Sequence, residues 1–366
     1  MLAPENNIRQ GYLQLIEREG IINNRYSNVR RIDLNGGNGH FSLLFKAFDT
    51  LAGRDIALKF FDPQKISDYD RVQRFHREAE MLDHLSPDPY VINRVDGLCT
   101  LGIRMINPAT GDEIPYPPFI YFAMELADSN VEDLIYKRNP DALSILLYFK
   151  EMLKSVFRIH NKNVCHRDLK PSNFLILGKD IRLSDFGTSK IMDGSMPDIR
   201  RVYQDPVGDL FYSAPELFFS IGIADEYVFK ADIFAMGAIL FEMFTNTVLT
   251  DQIYSEDVLD RLTFARQLLT IMTPHRRLEA YLDLAADVER FINFPDIYSY
   301  NDNIPNCIKN HLNDLYKSLS HTSLLKRSNN PVSIHRKIDI CIKILKNEKK
   351  YLKWKEEKRR RRLIKL

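Results

Sequence analysis

The spacing of apolar positions changes about a third of the way along the chain. Within Glu5–Glu19, Ile8, Tyr12, Leu15 and Ile16 fall on one helical face, as in a short amphipathic helix. Asn28–Leu34, Leu43–Asp49 and Arg54–Phe61 then read as three strands joined by Gly-bearing turns, a meander. Asp70–Leu85 returns to helical spacing through Phe75, Ala79 and Leu82, and Ser86-Pro87 stops it. Two more strands are expected near Gly97–Ile106 and Phe119–Glu125. Between them PATGDEIPYPP, rich in Pro and polar residues, forms an extended hairpin loop. Beyond Ala127 helical patterns dominate: Asn130–Tyr136, Ala142–Asn161, Lys230–Thr245, Asp257–Ile271, Leu278–Phe294 and Cys307–Ser320. A small, mostly β part therefore precedes a larger α-helical part, an α+β order without internal repeats.

The 366 residues suffice for two domains, or for one fold of two lobes around a cleft. Hydrophobic content of 45%, with only 15 Gly and 17 Pro, argues for a globular protein. Net charge is +2 but unevenly placed: 11 Lys/Arg face 3 Glu from Lys346 to Leu366, and the rest of the chain carries −6. That basic tail continues a helix expected to start near Pro331. Cys99, Cys165, Cys307 and Cys341 lack CxxC spacing, so they read as reduced thiols in a cytoplasmic setting. The N-terminus has no basic-then-apolar signal pattern. The most apolar run, Ile233–Phe241, is too short to span a bilayer, so an integral membrane protein is not expected.

Candidate chemistry concentrates in HRDLKPSNFLILGKDIRLSDFG, His166 to Gly187. Asp168, Lys170, Asn173 and Asp185 sit beside two short apolar strands, Phe174–Leu177 and Ile181–Leu183. Strands of that kind anchor polar loops at their ends, and a cleft chemistry built on a metal is one reading of them. Ordinary surface polarity is the other. Lys59 lies in the apolar strand DIALKFF, and a lysine turned inward from such a strand requires a partner. Glu78 and Glu80 in FHREAEMLDHL are both candidates.

HRDLKPSN followed by SDFG and then SAPE resembles the eukaryotic-type, or Hanks-type, serine/threonine protein kinase family, from roughly Tyr26 to Arg327. The resemblance implies a bilobal protein kinase fold, with a small β-rich N-lobe carrying one main helix and a larger α-helical C-lobe. The expected division is 1–25 as an N-terminal helical extension, 26–125 as N-lobe, 126–345 as C-lobe and 346–366 as basic tail. It also implies transfer of the ATP γ-phosphate to Ser/Thr hydroxyls of protein substrates with Mg²⁺, a reaction that asks mainly for positioning and charge neutralisation.

By that resemblance Asp168 is the catalytic base, Lys170 neutralises the transferring phosphate, and Asn173 and Asp185 hold Mg²⁺ through oxygen ligands. Lys59 grips the α- and β-phosphates and pairs with Glu78, because Met81 and Leu82 follow at the family's spacing; Glu80 is the runner-up. NGGNGHFSLLFKAF matches the phosphate-covering loop, where glycine lets backbone N–H groups approach. Gly37 and Gly39 match its first two glycines, Phe41 its tip and Leu44 the residue over adenine, while Ser42 replaces the third glycine. Backbone groups of Glu125 and Ala127 bond adenine, sandwiched between Ala57 and Leu175. Asp232 braces the catalytic loop, and Glu216 pairs with Arg327 as a structural ion pair.

Two positions in DFGTSKIMDGSMPDIRRVYQDPVGDLFYSAPE depart from the family pattern. Asp209 follows Gly208 where Thr is usual; its carboxylate can bond Lys170 but would repel Asp168. Asp205 stands where many members carry an activating phosphate. It either mimics that phosphate by pairing with Arg167 or is a plain loop residue. Ser42 and Asp209 support a rival reading, a pseudokinase that signals through partner binding without catalysis. The intact set Lys59, Glu78, Asp168, Asn173 and Asp185 opposes it. The tail, with Tyr351 and Trp354 among its lysines, suits nucleic acid, an anionic lipid surface or an acidic partner, or is simply a solvated helix.

Overall fold

The computed structural model describes residues 4–32, 42–106, 110–115, 118–192, 208–218, 225–272 and 274–363. The chain divides into two compact units, the first comprising Met1–Ser129 with Leu175–Ser189, the second Asn130–Phe174 with Lys190–Leu366. The division falls four residues beyond the 125/126 boundary expected from sequence, and the amino-terminal helix groups with the first unit.

The first unit opens with α1 (Pro4–Arg18) and β1 (Ile21–Ile22), followed by β2 (Tyr26–Arg31), β3 (Ser42–Asp49) and β4 (Arg54–Phe61). After α2 (Tyr69–Leu85) come β5 (Arg94–Leu101), the short hairpin β6 (Arg104–Ile106) and β7 (Glu113–Pro115), and β8 (Phe119–Glu125). Six of these strands form one antiparallel sheet in the order β1-β2-β3-β4-β8-β5. The expected hairpin loop thus contains β7, which pairs β6 in antiparallel register.

Strand alternation drives the packing. Leu43, Phe45 and Ala47 of β3 and Ile56, Leu58 and Phe60 of β4 fill one core with Tyr26, Phe119 and Tyr121. Helix α1 closes that core from the side, with Ile16 fully buried and Tyr12 edge-on to Phe119 at 5.7 Å. Arg25 bridges Asp49 and Asp96 across the same edge, at 2.8 Å to each. The other face receives α2, capped by the Asp68 side chain on the Arg71 amide. Phe75 of α2 meets Phe61 and Phe122 at 5.5 and 5.2 Å, so Glu78, one turn on, points at the sheet.

The second unit is helical, as the change of periodicity predicts. It contains α3 (Val131–Asp133) running into a π-type turn at Leu134–Arg138, α4 (Ala142–His160), α5 (Pro215–Phe218) and α6 (Asp225–Thr245). There follow α7 (Leu249–Ile253), α8 (Glu256–Thr270), α9 (Pro274–Glu289), α10 (Lys309–Leu319) and α11 (Pro331–Leu363). Helix α6 begins five residues before the expected start at Lys230 and is buried all round from Ala231 to Phe244, hence its lack of an amphipathic pattern. It packs against α10 where Gly237 lies: a Cβ there would stand 2.7 Å from the Ser320 amide. The short β9 (Ser129–Asn130), β10 (Val164–Cys165), β11 (Phe174–Leu177), β12 (Asp180–Leu183) and β13 (Lys190–Ile191) bracket the motif-bearing loops, and β10 pairs β13.

Candidate active site

The motif residues build two polar clusters, one in each unit. In the first, Lys59 leaves the buried strand β4 opposite Leu44 of β3 and Phe122 of β8. Its Nζ donates to Glu78 Oε1 and Oε2 at 2.7 and 2.6 Å and lies 3.6 Å from Asp185 Oδ1. Glu80 is exposed on the opposite side of α2. Burial pushes the Glu78 carboxyl up to about 7, with Asp185 adding to the rise and Lys59 opposing it. Burial disfavours the Lys59 ammonium, but Asp185 and Glu78 together hold its pKa above the ordinary value. One cation thus faces two carboxylates. Asp185 adopts a left-handed backbone, φ 63°, and its side chain is 43% exposed.

The residues expected around adenine are all in this unit. Ala57 is buried and pairs with Met124 across the β4–β8 ladder; Leu44, Glu125, Ala127 and Leu175 are half-buried. Glu125 has a feature that the sequence reading missed. Its amide donates to the Asn93 carbonyl at 3.0 Å, and its carboxylate accepts from the Asn93 amide, the Asn93 side chain and Arg182. The outgoing end of β8 is thereby tied to residues preceding β5 and within β12. Spacing along the chain carries no signal for such a pairing.

In the second unit Asp232, buried on α6, organises the loop after β10. Its Oδ2 accepts from the His166 amide at 2.9 Å and His160 Nε2 at 2.8 Å, and its Oδ1 from the Arg167 amide at 2.8 Å. Burial alone would raise this carboxyl; the His160 hydrogen bond and neighbouring positive charge hold it below the usual range. Those bonds fix Arg167 in a left-handed conformation, φ 69°, that turns the chain toward Asp168. The Asn173 side chain donates to the Asp168 carbonyl at 2.8 Å, which identifies the other end of that amide as oxygen.

Asp209 does more than its side chain suggested. Its amide donates to Asp168 Oδ1 at 2.7 Å, while Lys170 Nζ lies 3.4 Å from Asp168 Oδ2 and 3.7 Å from Asp209 Oδ2. Lys170 therefore sits between the two carboxylates and offsets their repulsion. The chain reaches Asp168 this closely because of Gly208 at φ 93°; any Cβ there would collide with the Arg167 carbonyl. Arg167, Asp168, Asp209, Tyr212 and Asp232 line one small depression.

Behind it, Arg327 and Glu216 form a fully buried ion pair, with NH2 to Oε2 at 3.0 Å. Arg327 also donates to the carbonyls of His321, Lys230 and Thr322, and its guanidinium lies 5.1 Å from the Phe234 ring centroid. Tyr136 and Tyr212 both donate to the buried Glu242, another grouping that spacing does not reveal. Gly37, Gly39, Phe41 and Asp205 lie outside the described residues. Helix α11 continues to Leu363, and beyond Leu345, the last buried residue among those whose side chains are described, Tyr351, Leu352 and Trp354 are exposed.

Residues 32–337 match the family described as protein kinase domain, and the chain belongs to that family. It is similar to "Mitogen-activated protein kinase HOG1" of Debaryomyces hansenii, with 30% identity over 61% of this chain and 50% of that protein. For the protein so named in Kluyveromyces lactis the identity is 28%, over 70% of this chain and 54% of the relative. For that of Zygosaccharomyces rouxii it is 30%, over 61% and 44%. The chain thus spans about half the length of the curated relatives it matches. Among the described residues no helix is long and apolar enough to cross a membrane.

Proposed function

We propose that this chain transfers the γ-phosphate of ATP to serine and threonine hydroxyls of protein substrates. One observation carries the reading: the Asp168 carboxylate is held by the Asp209 amide on one oxygen and flanked by Lys170 on the other. A carboxylate so oriented accepts a hydrogen bond from an incoming alcohol, and the neighbouring ammonium balances charge on the group being transferred. Lys59, kept cationic by Glu78 and Asp185, supplies a positive charge for nucleotide phosphates. Leu44, Ala57, Glu125, Ala127 and Leu175 are proposed to receive adenine.

Mg²⁺ is the metal we propose, with Asn173 and Asp185 as its protein ligands; an amide oxygen and a carboxylate are the hard donors that it prefers. Bound there, it would neutralise phosphate charge. The pseudokinase alternative loses its main support, because Asp209 contributes an amide to Asp168 and a carboxylate near Lys170 rather than merely an unbalanced charge. The four cysteines are free thiols, which supports a reducing compartment, and the cytoplasm is the location proposed.

For the basic end of α11 we propose a double-stranded nucleic acid. Lys346, Lys350 and Lys353 recur at helical spacing along one side of the helix with Lys355 opposite, and no continuous apolar face accompanies them, whereas a membrane surface calls for one. The binding would weaken steeply with salt and vanish on deleting 346–366; binding to anionic vesicles with none to duplexes overturns it.

The test of the main reading is incubation with Mg²⁺ and labelled ATP, wild type beside Asp168→Asn, followed by mapping of labelled residues. Label on Ser/Thr from the wild type alone is the expected result. Equal label from both, or none from either, overturns it.

A further inference from the structure

The amino-terminal helix grips both strands that flank the glycine-bearing segment. On the β2 side, Glu17 Oε1 accepts from the Arg31 amide at 2.8 Å, and Gln10 Oε1 accepts from Arg31 NH1 at 2.9 Å. On the β3 side, Arg9 NH2 donates to the Ser42 carbonyl at 3.0 Å. The same guanidinium lies 3.8 Å from Asp62, whose side chain is 2% exposed and accepts from the Gln64 amide. Ser42 pairs with Phe61 in the β3–β4 ladder, and Leu44 with Lys59 two residues on. Arg9 of α1 thus holds both the first residue of β3 and the residue just past β4.

This arrangement exceeds what packing requires. Ile16 and Tyr12 already dock α1 on the sheet through apolar contact. Arg9, by contrast, spends its charge at a strand start and a buried carboxylate. A charge-assisted hydrogen bond to a backbone carbonyl fixes that carbonyl's direction, and hence the exit geometry of the strand. Strand starts held in this way set where following backbone and side chains can meet a ligand.

We propose that Arg9 is a positioning residue for nucleotide binding, acting through the Ser42 carbonyl and Asp62. The proposal rests on the nucleotide reading above. It assigns to α1 a role in ATP affinity, and none in the transfer step itself. Because Arg9 acts on strand geometry through Ser42 and Asp62, kcat should be left nearly intact.

The experiment compares wild type, Arg9→Ala, Arg9→Lys and Leu13→Ala in the full chain. Leu13→Ala loosens α1 by packing alone. Binding of a fluorescent ATP analogue and the KM for ATP are measured beside kcat and the melting temperature. Arg9→Ala should weaken nucleotide binding and raise KM by about five- to tenfold with kcat within about twofold. Arg9→Lys should recover part of the loss, and Leu13→Ala should lower the melting temperature with little change in KM. Equal KM for wild type and Arg9→Ala overturns the proposal. So does a KM increase that tracks melting temperature across both alanine variants. Analogue binding by the wild type that is lost in Lys59→Met keeps the nucleotide reading standing even when the Arg9 result is negative. A wild type that binds no analogue overturns both.

Discussion

The Lys59–Glu78 and Arg327–Glu216 pairs look alike on paper, each a cation on a carboxylate in an apolar setting, yet they are built for opposite ends. Arg327 and Glu216 are fully buried, and the donors of Arg327 also reach three backbone carbonyls. Charge and hydrogen-bonding capacity are both matched, so the pair acts as scaffold. Lys59 keeps 12% of its side chain exposed and faces a second carboxylate, Asp185, at 3.6 Å. There two carboxylates share one ammonium, and the cluster keeps an accessible edge at Asp185, as suits the nucleotide and metal site proposed above.

The comparison breaks most visibly at Lys59. Lys59→Met should reduce phosphoryl transfer on the order of 10³-fold or more, with a melting temperature close to that of the wild type. A radiolabel transfer assay beside a thermal melt reads both. If activity survives, the open cluster has no catalytic part and the contrast between the two pairs fails.

Arg327→Met should do the reverse. Leaving Glu216 buried and unpaired costs about 3–5 kcal/mol in denaturant unfolding, while the rate per folded molecule stays the same. A drop below about 1 kcal/mol would show that Glu216 is rescued by Tyr281, which already donates to it at 3.3 Å.

A third ion pair, Arg25–Asp49, tests the scaffold type in the first unit. The Arg25 hydrogen bond holds the Asp49 carboxyl down at about 2, from an ordinary 3.8. Because the folded value is depressed, the stabilisation is present above about pH 4 and is lost as pH falls through about 2. Arg25→Ala should therefore cost about 2 kcal/mol at neutral pH and flatten the acid limb of stability. Unchanged acid denaturation would remove Asp49 from the scaffold class.

The smallest effect is expected at Asp209. Asp209→Ala keeps the amide on Asp168 and loses only the carboxylate 3.7 Å from Lys170, so the rate should fall by about threefold. A loss as large as that at Lys59 would mean that the carboxylate, and not the amide, carries the contribution of this position. Gly208→Ala distinguishes the two: it displaces the amide itself and should exceed Asp209→Ala in cost.

Much of this was legible in the chain. Period-two alternation in β3, the continuous apolar run of β4 and the apolar stripe of α2 follow from side-chain geometry local to each element. The helix at 331–363 runs on into the basic tail as the sequence predicts, because nothing in that stretch breaks it. The apolar period places the start of α6 five residues late, and β7 lies among prolines that mask a strand pattern. The link from Glu125 to Asn93 and Arg182 left no trace in spacing, and neither did the grip of Arg9 on Ser42; both join residues over 30 apart.

Local sequence, then, determined which residues are candidates for the chemistry and which segments are strand or helix, because side-chain type and periodicity act within a few residues of chain. Tertiary structure alone decided the partners. Glu78 and Glu80 are equal candidates for Lys59 on composition, but two residues on a helix point to opposite sides, and only the docking of α2 on the sheet selects Glu78. The same holds for Asp209. Its side chain suggested repulsion, whereas the turn at Gly208 delivers its backbone amide to Asp168 and lets Lys170 stand between the two carboxylates.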